Sequence, residues 1–485
     1  MSTPVATSPI TTQPATAAPD APPRLSRALP GTPPAAPVRI VHLGLGNFHR
    51  AHQAWYTAHA GDGADWGIAA FTGRRPDAAE ALAPQDGLST LITRASGGDT
   101  YELIGSVTAV HAVGEHDAFL DYLRRPEVAV VTITVTEQGY LADPTHQLRR
   151  TEEVAADIAT LQEDPTAAVG TLPGRLVGGL AARRAAGAGP ITVLSCDNLP
   201  ENGEVAASVV TQLAQSVDPA LAEWIGEHVD FASSMVDRIT PTTTDADREL
   251  VATELGYVDA SPVATEPFHE WVITGLFPAG RPRWEDAGAR VVDDVTPFEQ
   301  RKLWLLNGSH SLLAYAGSIR GHASIDEAIA DPACRRWVEA LWDEAAPHLP
   351  LPADDVTAYR VALLNRYANP RIRHRLAQIV ADGSTKIIVR TVPVIRAERA
   401  AGRLPLGCAT VVAAWILHLR GQGAPLSDPG AEAYLTLVAA EDETAVRSVL
   451  DSLDPPRGLA EGLGSDDDLV AAVLAQLSTV VEEQG

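Results

Sequence analysis

The residues with the clearest chemical potential lie in one short segment, which runs from Glu299 to His310. It carries a carboxylate, a primary amine, an amide and an imidazole, on Glu299, Lys302, Asn307 and His310. On an α-helix with ~100° per residue these four side chains fall at roughly 60°, 0°, 140° and 80°. They would therefore share one side of a helix. A base, an amide donor, an imidazole and a carboxylate on one face predict a site for proton chemistry.

Lysine is rare in this chain, and its rarity draws attention to Lys302. Of the 37 basic residues only Lys302 and Lys386 are lysines, and the other 35 are arginines. Arginine keeps its proton near neutral pH, whereas burial can lower the pKa of a lysine towards the working pH. Lys302 is therefore a candidate base. The alternative is an ordinary ion pair between Glu299 and Lys302, with the helix ending at Asn307-Gly308.

The bulk composition limits the class of protein. The chain has 485 residues, of which 45% are hydrophobic and 20% charged, and a net charge of −25. This length accommodates two domains with separate cores. The acidic charge argues against nucleic acid or an anionic membrane surface as a partner. Three widely separated cysteines predict a reducing, cytoplasmic environment, with neither a disulfide framework nor a zinc site.

The first part of the chain shows the pattern of a dinucleotide-binding unit. The apolar run Val38–Leu43 ends at Gly44-Leu45-Gly46-Asn47-Phe48-His49-Arg50, which predicts a strand, a glycine turn and a helix. Gly44 would allow the tight turn, and Gly46 would let the backbone approach a pyrophosphate. The third glycine of the usual fingerprint is absent, since His49 stands there. This pattern alone leaves an ordinary turn as an open alternative.

Three further strands are predicted by buried-type apolar runs at Trp66–Phe71, Ala129–Thr136 and Ile191–Ser195. Ligands of open α/β sheets bind beyond the carboxyl ends of strands, where Glu137 and Asn198 stand here. After the first of these runs, Asp77 would favour the ribose hydroxyls of NAD. Neighbouring Arg74 and Arg75 would favour the 2′-phosphate of NADP.

From about residue 290 the hydrophobic periodicity becomes mainly helical. The predicted helices span 297–318, 324–346, 355–367, 371–382, 386–401 and 405–420. The fold class is therefore α/β, with a Rossmann-like cofactor domain over 38–290 followed by a mostly α-helical substrate domain over 291–485. Residues 1–37 are rich in Pro, Ala and Thr, which predicts a disordered tail.

The second lysine lies in a local basic cluster within the helical part. The cluster contains Arg371, Arg373, Arg375, Lys386 and Arg390. In a chain of net charge −25 such a cluster could form a pocket wall that binds hydroxyls or a carboxylate. A solvated or ion-paired helix face is the alternative.

These blocks together resemble the mannitol dehydrogenase family of long-chain polyol dehydrogenases. The resemblance covers residue 38 to about residue 420. It rests on five blocks in order, at Gly44–Gln53, Thr134–Tyr140, Ser195–Pro200, Met235–Pro241 and Lys302–His310. It implies a metal-independent, NAD(P)-dependent oxidoreductase of class EC 1.1.1 that transfers hydride to and from a small polyol or sugar acid. It also implies a monomer.

The resemblance also implies roles for individual residues. Lys302 corresponds to the general base, Asn198 and Asn307 to the amides that polarise the reacting oxygen, His310 to the residue that orients the substrate, and Glu299 to proton exchange with water. The implied cofactor-binding residues are Gly44, Gly46, Asn47, Phe48, Arg50, Asp77, Thr136 and Glu137. The implied substrate-binding residues are Asp237, Lys386, Gln378, Arg373 and Arg390.

The substrate is where the chain departs from the family pattern. Gln378 stands eight residues before Lys386, where mannitol 2-dehydrogenases carry an arginine. With Arg373-His374-Arg375 and Arg390, this looks more like the fructuronate reductase branch. We expect the D-mannonate/D-fructuronate pair to be slightly favoured over D-mannitol/D-fructose, with fructose 6-phosphate also open. A zinc-dependent dehydrogenase and a non-catalytic sugar-binding protein are the rival classes.

Overall fold

The computed structural model describes residues 22–454 and 462–482. The strands are β1 Val38–Leu43, β2 Gly67–Phe71, β3 Ser89–Ala95, β4 Gly98–Ile104, β5 Val107–His111, β6 Val130–Ile133, β7 Ile191–Ser195, β8 Val229–Ala232, β9 Ser234–Asp237, β10 Val263–Thr265, β11 Glu270–Ile273 and β12 Arg290–Val291. Strands and helices alternate up to β8 except at the three successive strands β3, β4 and β5, and helices dominate after β12. This order is that of an α/β domain followed by a helical one.

The helices divide between the same two parts. Those before β12 are α1 Asn47–Ala51, α2 Gln53–His59, α3 Asp77–Leu82, α4 His116–Leu123, α5 Glu152–Glu163, α6 Leu172–Ala186, α7 Asn202–Val217, α8 Pro219–His228 and α9 Asp245–Leu255. Those after it are α10 Thr296–Arg301, α11 Gly308–Leu312, α12 Ile325–Ala330, α13 Pro332–Ala345, α14 Ala353–Tyr367, α15 Leu376–Ile379, α16 Gly383–Arg390, α17 Val392–Ala400, α18 Leu406–Leu419, α19 Glu432–Val438, α20 Asp442–Leu453 and α21 Asp467–Glu482. Within the described residues, no helix is both long and apolar enough to cross a membrane.

A parallel sheet forms the centre of the first domain, with the strand order β5-β2-β1-β6-β7-β8. Strands β2, β6 and β7 are buried along their whole length, because apolar cores pack on both faces of the sheet. In this sheet β2 lies on one side of β1 and β6 lies on the other side. A crevice therefore opens at the carboxyl ends of β1 and β6. The predicted Rossmann-like domain is confirmed.

The second domain packs around α18. Every residue of α18 after Leu406 is buried, which is typical of a helix enclosed by others on all sides. The helix predicted at 405–420 agrees with it closely. The mostly helical second domain is confirmed as well.

One predicted helix, at 371–382, is largely absent. Only the short helix α15 forms there. The preceding backbone instead pairs with another segment, since Arg375 forms an antiparallel bridge with Ser324 and the Ile325 N–H donates to the His374 carbonyl at 3.0 Å. Tertiary pairing has thus overridden the local helical pattern.

The N-terminal segment from residue 22 to 37 packs on the first domain. Leu25 is fully buried, and its N–H donates to the Val258 carbonyl at 2.9 Å. The Arg27 guanidinium donates to the carbonyls of Gly105 and Val107 at 2.8 and 2.9 Å. The predicted disordered tail is therefore wrong for residues 22–37, and residues 1–21 lie outside the described part of the chain.

Candidate active site

Two cavities meet where the helical domain faces the sheet. The sheet-edge cavity, of about 680 Å³, follows the carboxyl ends of β1, β6 and β7. The interdomain cavity, of about 1030 Å³, lies between the sheet edge and helices α14 and α16. Both are lined by Phe48, Glu137, Gln138, Asn198 and Val236. They therefore form one cleft with two compartments.

The glycine turn after β1 shapes the sheet-edge cavity. Gly44 has a φ of 111°, and a Cβ at this position would lie 1.8 Å from the Thr134 carbonyl oxygen, so only glycine fits. Gly46 has nothing closer than 3.7 Å to the position of a Cβ. The backbone there is open to the cavity, which suits the close approach of a dinucleotide pyrophosphate.

The predicted cofactor-binding residues separate into two groups. Gly44, Gly46, Asn47, Phe48, Thr136 and Glu137 line the sheet-edge cavity. Arg50 and Asp77 do not. Arg50 is buried behind the turn, where it donates to Asn47 Oδ1 at 2.7 Å and to the Gly46 carbonyl at 3.3 Å. Asp77 is exposed at the start of α3, 3.5 Å from Arg75. Arg50 thus supports the glycine turn, and Asp77 stands outside the cavity wall.

Lys302 lies at the centre of the cleft. Its Nζ donates to Asn198 Oδ1 at 2.5 Å and to the Val236 carbonyl at 2.6 Å. These two acceptors leave one further position on Nζ for a ligand in the interdomain cavity. Burial lowers the pKa of Lys302 below its usual value, and Arg366 acts in the same direction while Asp237 opposes it. Burial therefore makes the neutral amine easier to reach than in an exposed lysine.

The segment around Lys302 is helical, as the prediction for 297–318 states, but it is not a regular α-helix. Residues Lys302–Asn307 and Leu313–Gly317 are π-helical, with α11 between them. Such wider turns are rare and often occur at functional sites. Here Lys302, Asn307 and His310 all line the interdomain cavity. Three of the four side chains predicted to share one face therefore line one cavity, and the fourth, Glu299, does not.

Asn198 follows β7 on a turn that Asp197 holds in place. The Asp197 carboxylate accepts the Val135 N–H at 2.7 Å and the Tyr140 hydroxyl. Burial raises the pKa of Asp197 to about 7, although both hydrogen bonds act against that rise. Because Asn198 Oδ1 is occupied by Lys302, the amide nitrogen of Asn198 is left to donate to a ligand.

Glu299 stands on the other side of Lys302. A side cavity of about 230 Å³ is lined by Glu299, Lys302, Asn198, Asn307 and Glu201, among others. Glu299 does not line the interdomain cavity. Burial raises the pKa of Glu299 to about 7. Lys302 therefore lines both the interdomain cavity and the side cavity, where the carboxyl group of Glu299 has a pKa of about 7.

A buried ionic cluster lies beside Lys302 and joins the two domains. Arg366, on α14, donates to both Asp237 oxygens at 2.7 and 3.0 Å and to both Glu266 oxygens at 2.7 and 2.9 Å. The Arg366 side chain is only 4% exposed. Burial opposes ionisation of Asp237, but Arg366 holds the pKa of Asp237 below its usual value. Asp237 is thus a fixed negative charge on the cavity wall.

The sequence pattern does not predict the role of Arg366. Asp237 and Arg238 are adjacent and could have formed a local ion pair. Instead Arg238 donates to the backbone carbonyls of Ala51 and Glu266, and Asp237 pairs with a residue 129 positions away. No local signal in the sequence identifies that partner.

Only part of the basic cluster predicted from the sequence lines the interdomain cavity. Lys386 and Arg390, both on α16, line the interdomain cavity. Arg373, Arg375 and Gln378 are exposed and do not line it, so the structure does not bring Arg373 and Gln378 together with the other predicted substrate-binding residues. These three residues lie on or beside the irregular backbone that replaces the predicted helix 371–382.

Arg390 has hydrogen-bonding capacity that the protein leaves unused. One of its terminal nitrogens donates to the Asn307 carbonyl at 3.1 Å and to the Ser311 hydroxyl at 3.0 Å. Its Nε is buried and has no partner. Burial lowers the pKa of Arg390 to about 10, at which the guanidinium is still charged near neutral pH.

Two histidines form part of the cavity wall. The rings of His310 and His374 meet edge to face, with centroids 5.3 Å apart. Burial lowers the pKa of His310 well below its usual value, and the charges of nearby basic side chains add to the effect. The His310 imidazole is therefore neutral. The sequence pattern does not distinguish His374 from its basic neighbours as a site residue.

Comparison with known proteins covers both domains. Residues 38–286 match the family model of the mannitol dehydrogenase Rossmann domain, and residues 294–481 match that of the mannitol dehydrogenase C-terminal domain. D-mannonate oxidoreductase of Escherichia coli (strain K12) is 41% identical over 393 residues, 79% of this chain and 80% of the relative. Mannitol 2-dehydrogenase of Pyrenophora tritici-repentis is 40% identical over 397 residues, 79% of this chain and 69% of the relative.

Two solved structures have the same architecture. One is Pseudomonas fluorescens mannitol 2-dehydrogenase in a ternary complex with NAD and D-mannitol, with a TM-score of 0.74 and 35% identity over 92% of this chain and 94% of that chain. The other is a D-sorbitol dehydrogenase in substrate-free form, with a TM-score of 0.83 and 30% identity over 93% of this chain and 94% of that chain. Both similarities extend across the cleft.

Proposed function

The chain belongs to the mannitol dehydrogenase family, and we propose that it catalyses reversible NAD-dependent hydride transfer at a secondary alcohol of a linear sugar acid or polyol. Its relatives are named dehydrogenases and oxidoreductases, and the chain is an enzyme of the same kind, in class EC 1.1.1. The observation that carries the proposal is the position of Lys302 Nζ, bound to Asn198 where the two compartments of the cleft meet.

The sheet-edge cavity has the features that NAD requires. Gly44 and Gly46 leave the backbone open to a pyrophosphate, and Phe48 and Thr136 lie on the same wall. When bound there, NAD supplies the acceptor or donor of the hydride. Asp77 and the neighbouring arginines stand outside this wall, so we test NADP in parallel.

Proton transfer is assigned to Lys302. In the oxidation direction its neutral Nζ takes the proton of the substrate hydroxyl, and in the reduction direction the ammonium returns it. Burial lowers the pKa of Lys302, which makes the neutral form accessible near the working pH. Asp237 limits that decrease, so the ammonium form is also accessible. Oxidation needs the neutral amine and reduction needs the ammonium, so both forms of Lys302 must be accessible.

Asn198 and Asn307 would stabilise the charge that develops on the substrate oxygen. The amide nitrogen of Asn198 is not used by Lys302, and Asn307 lines the same cavity. Fixed donors of this kind contribute roughly 3–4 kcal/mol each to the transition state. His310, held neutral by burial, would orient the substrate by hydrogen bonds to its hydroxyls.

Glu299 would exchange the proton of Lys302 with water through the side cavity. Its pKa of about 7 predicts that the carboxylate, the form that accepts a proton, increases as the pH rises through neutrality. The rate of alcohol oxidation should therefore rise between about pH 6 and pH 8 in the unmodified enzyme. Glu299→Gln should flatten that rise, as measured by the pH dependence of kcat.

Glu201→Gln is the matched control for this prediction, because Glu201 lines the same side cavity. It should keep the rise and shift it to lower pH, because the charge of Glu201 contributes to the raised pKa of Glu299. An unaltered profile in Glu299→Gln would show that Glu299 takes no part in proton exchange.

For the substrate, we favour the D-mannonate/D-fructuronate pair slightly over D-mannitol/D-fructose. Lys386 and Arg390 place two cationic side chains on the interdomain cavity wall, and the buried Nε of Arg390 has no partner within the protein. A sugar acid brings a carboxylate that would satisfy both groups. The second candidate, mannitol, is favoured by relatives named mannitol 2-dehydrogenase, which are about as similar to this chain as the mannonate enzyme.

The test is NADH oxidation with D-fructuronate, D-tagaturonate, D-fructose and fructose 6-phosphate in parallel, repeated with NADPH. We expect a keto-acid preference of tenfold or more in kcat/KM, equivalent to at least about 1.4 kcal/mol. Arg390→Gln should remove that preference, whereas Arg375→Gln, at an exposed position of the same basic segment, should keep it.

Other outcomes decide between the candidates. A preference for fructose would contradict the carboxylate assignment and support the polyol reaction. A preference for fructose 6-phosphate would mean that Lys386 and Arg390 bind a phosphate. No turnover with any of the four would contradict the proposed function itself.

A further inference from the structure

The backbone around His374 turns this side chain towards the cleft. Arg373 has a φ of 40°, in the left-handed region that non-glycine residues seldom adopt. Arg373 and Arg375 are exposed, while His374 between them is partly buried and lines the interdomain cavity. The His374 carbonyl is fixed by the Ile325 N–H at 3.0 Å. Strained backbone of this kind is often found at functional sites.

The His374 ring, on the wall of the interdomain cavity, also has a polar atom without a partner in the protein. Its Nδ1 is buried and has no hydrogen-bond partner. Leaving such an atom unpaired is costly, so buried polar groups without a partner in the protein often await water or a ligand. Burial lowers the pKa of His374, and Arg366 acts in the same direction. The imidazole is therefore neutral, with one donor and one acceptor nitrogen.

We propose that His374 is a substrate-binding residue, whose Nδ1 binds a hydroxyl group of the substrate chain beside the part held by His310. This inference rests on the proposed function and adds a second imidazole to substrate recognition. A hydroxyl is the expected partner because it can donate as well as accept, and so fits either tautomer of a neutral ring. The carboxylate of a sugar acid would instead be bound by Lys386 and Arg390, which lie on α16.

Two substitutions of His374 distinguish a role in substrate binding from a role in packing. His374→Phe keeps an aromatic ring and removes both nitrogens, whereas His374→Asn places an amide near the position of Nδ1. We expect His374→Phe to lower kcat/KM for the best substrate about tenfold or more, and His374→Asn to recover most of that loss. The dissociation constant for NADH and the thermal midpoint should not change in either variant. Arg375→Ala, at the exposed neighbouring position, is the control.

A series of deoxy analogues of the best substrate, each lacking one hydroxyl, identifies the contact. For one analogue, the unmodified enzyme and His374→Phe should have the same kcat/KM, because the group that His374 binds is already missing. An equal loss across every analogue would overturn the assignment. So would a His374→Phe variant within about twofold of the unmodified enzyme, or equal losses in His374→Phe and His374→Asn.

The outcomes also separate this inference from the proposed function. If the unmodified enzyme turns over none of the keto acids or ketoses, the proposed function fails and the assignment of His374 fails with it. If the unmodified enzyme is active and only the His374 variants behave contrary to expectation, the assignment of His374 alone is overturned.

Discussion

Lys302→Ala should lower kcat by about a thousandfold or more and leave the dissociation constant for NADH within about twofold. The substitution removes the primary amine bound to Asn198, at the meeting point of the two cavities. It leaves the residues that line the sheet-edge cavity intact, since Lys302 is not among them. Steady-state kinetics with the best substrate measure kcat, and NADH fluorescence titration measures the dissociation constant.

Two further variants test the chemistry assigned to Lys302. Lys302→Arg keeps the positive charge but cannot lose it near neutral pH, so it should be nearly as inactive as Lys302→Ala. Lys386→Met changes the other lysine, on the wall of the same cavity, and should raise KM with a much smaller effect on kcat. Intact turnover in Lys302→Ala with lost NADH binding would refute the assignment of Lys302 as the base.

Arg366→Met should lower the free energy of unfolding by about 3–5 kcal/mol. The substitution leaves Asp237 and Glu266 buried without the guanidinium that now donates to all four of their oxygens. An uncompensated buried carboxylate is far more costly than a missing surface ion pair. Urea unfolding of the substituted and unmodified proteins, followed by circular dichroism, measures the change.

Arg371→Met is the matched control for Arg366→Met. Arg371 also joins the two domains, through a 2.6 Å contact with Asp99, but its side chain is 42% exposed. Its loss should cost no more than about 1 kcal/mol. Adding Glu266→Gln to Arg366→Met should recover part of the stability, because one unpaired charge is removed. Equal effects of Arg366→Met and Arg371→Met would show that burial of the cluster is unimportant.

Much of the fold could be predicted from the sequence because its cause is local. Strands such as β7 are short apolar runs, and a parallel strand buried on both faces needs such a run. Gly44 is required by a positive φ and by its contact with Thr134, so it appears as a glycine in the chain. The convergence of the Lys302, Asn307 and His310 side chains could also be predicted, because their spacing places them on one side of a helix.

Other features depend on contacts that the sequence does not record. The helix predicted at 371–382 is lost because this backbone pairs with residues near Ser324, and that pairing turns His374 inwards while Arg373 faces solvent. The composition of the segment 22–37, rich in Pro, Ala and Thr, predicts disorder, although Leu25 packs on the first domain.

By itself the sequence determined the two-domain order, the glycine turn, the amine at Lys302 and the polar residues at the ends of the strands. These depend on apolar periodicity, on backbone conformation and on residue type, all of which are local. Only the tertiary structure decided which charges face the cleft and which face solvent. Arg366 pairs with an acid 129 positions away, and Arg390 rather than Arg373 lies on the cavity wall. Electrostatic partners are chosen by distance in space, and the folded chain alone fixes that distance.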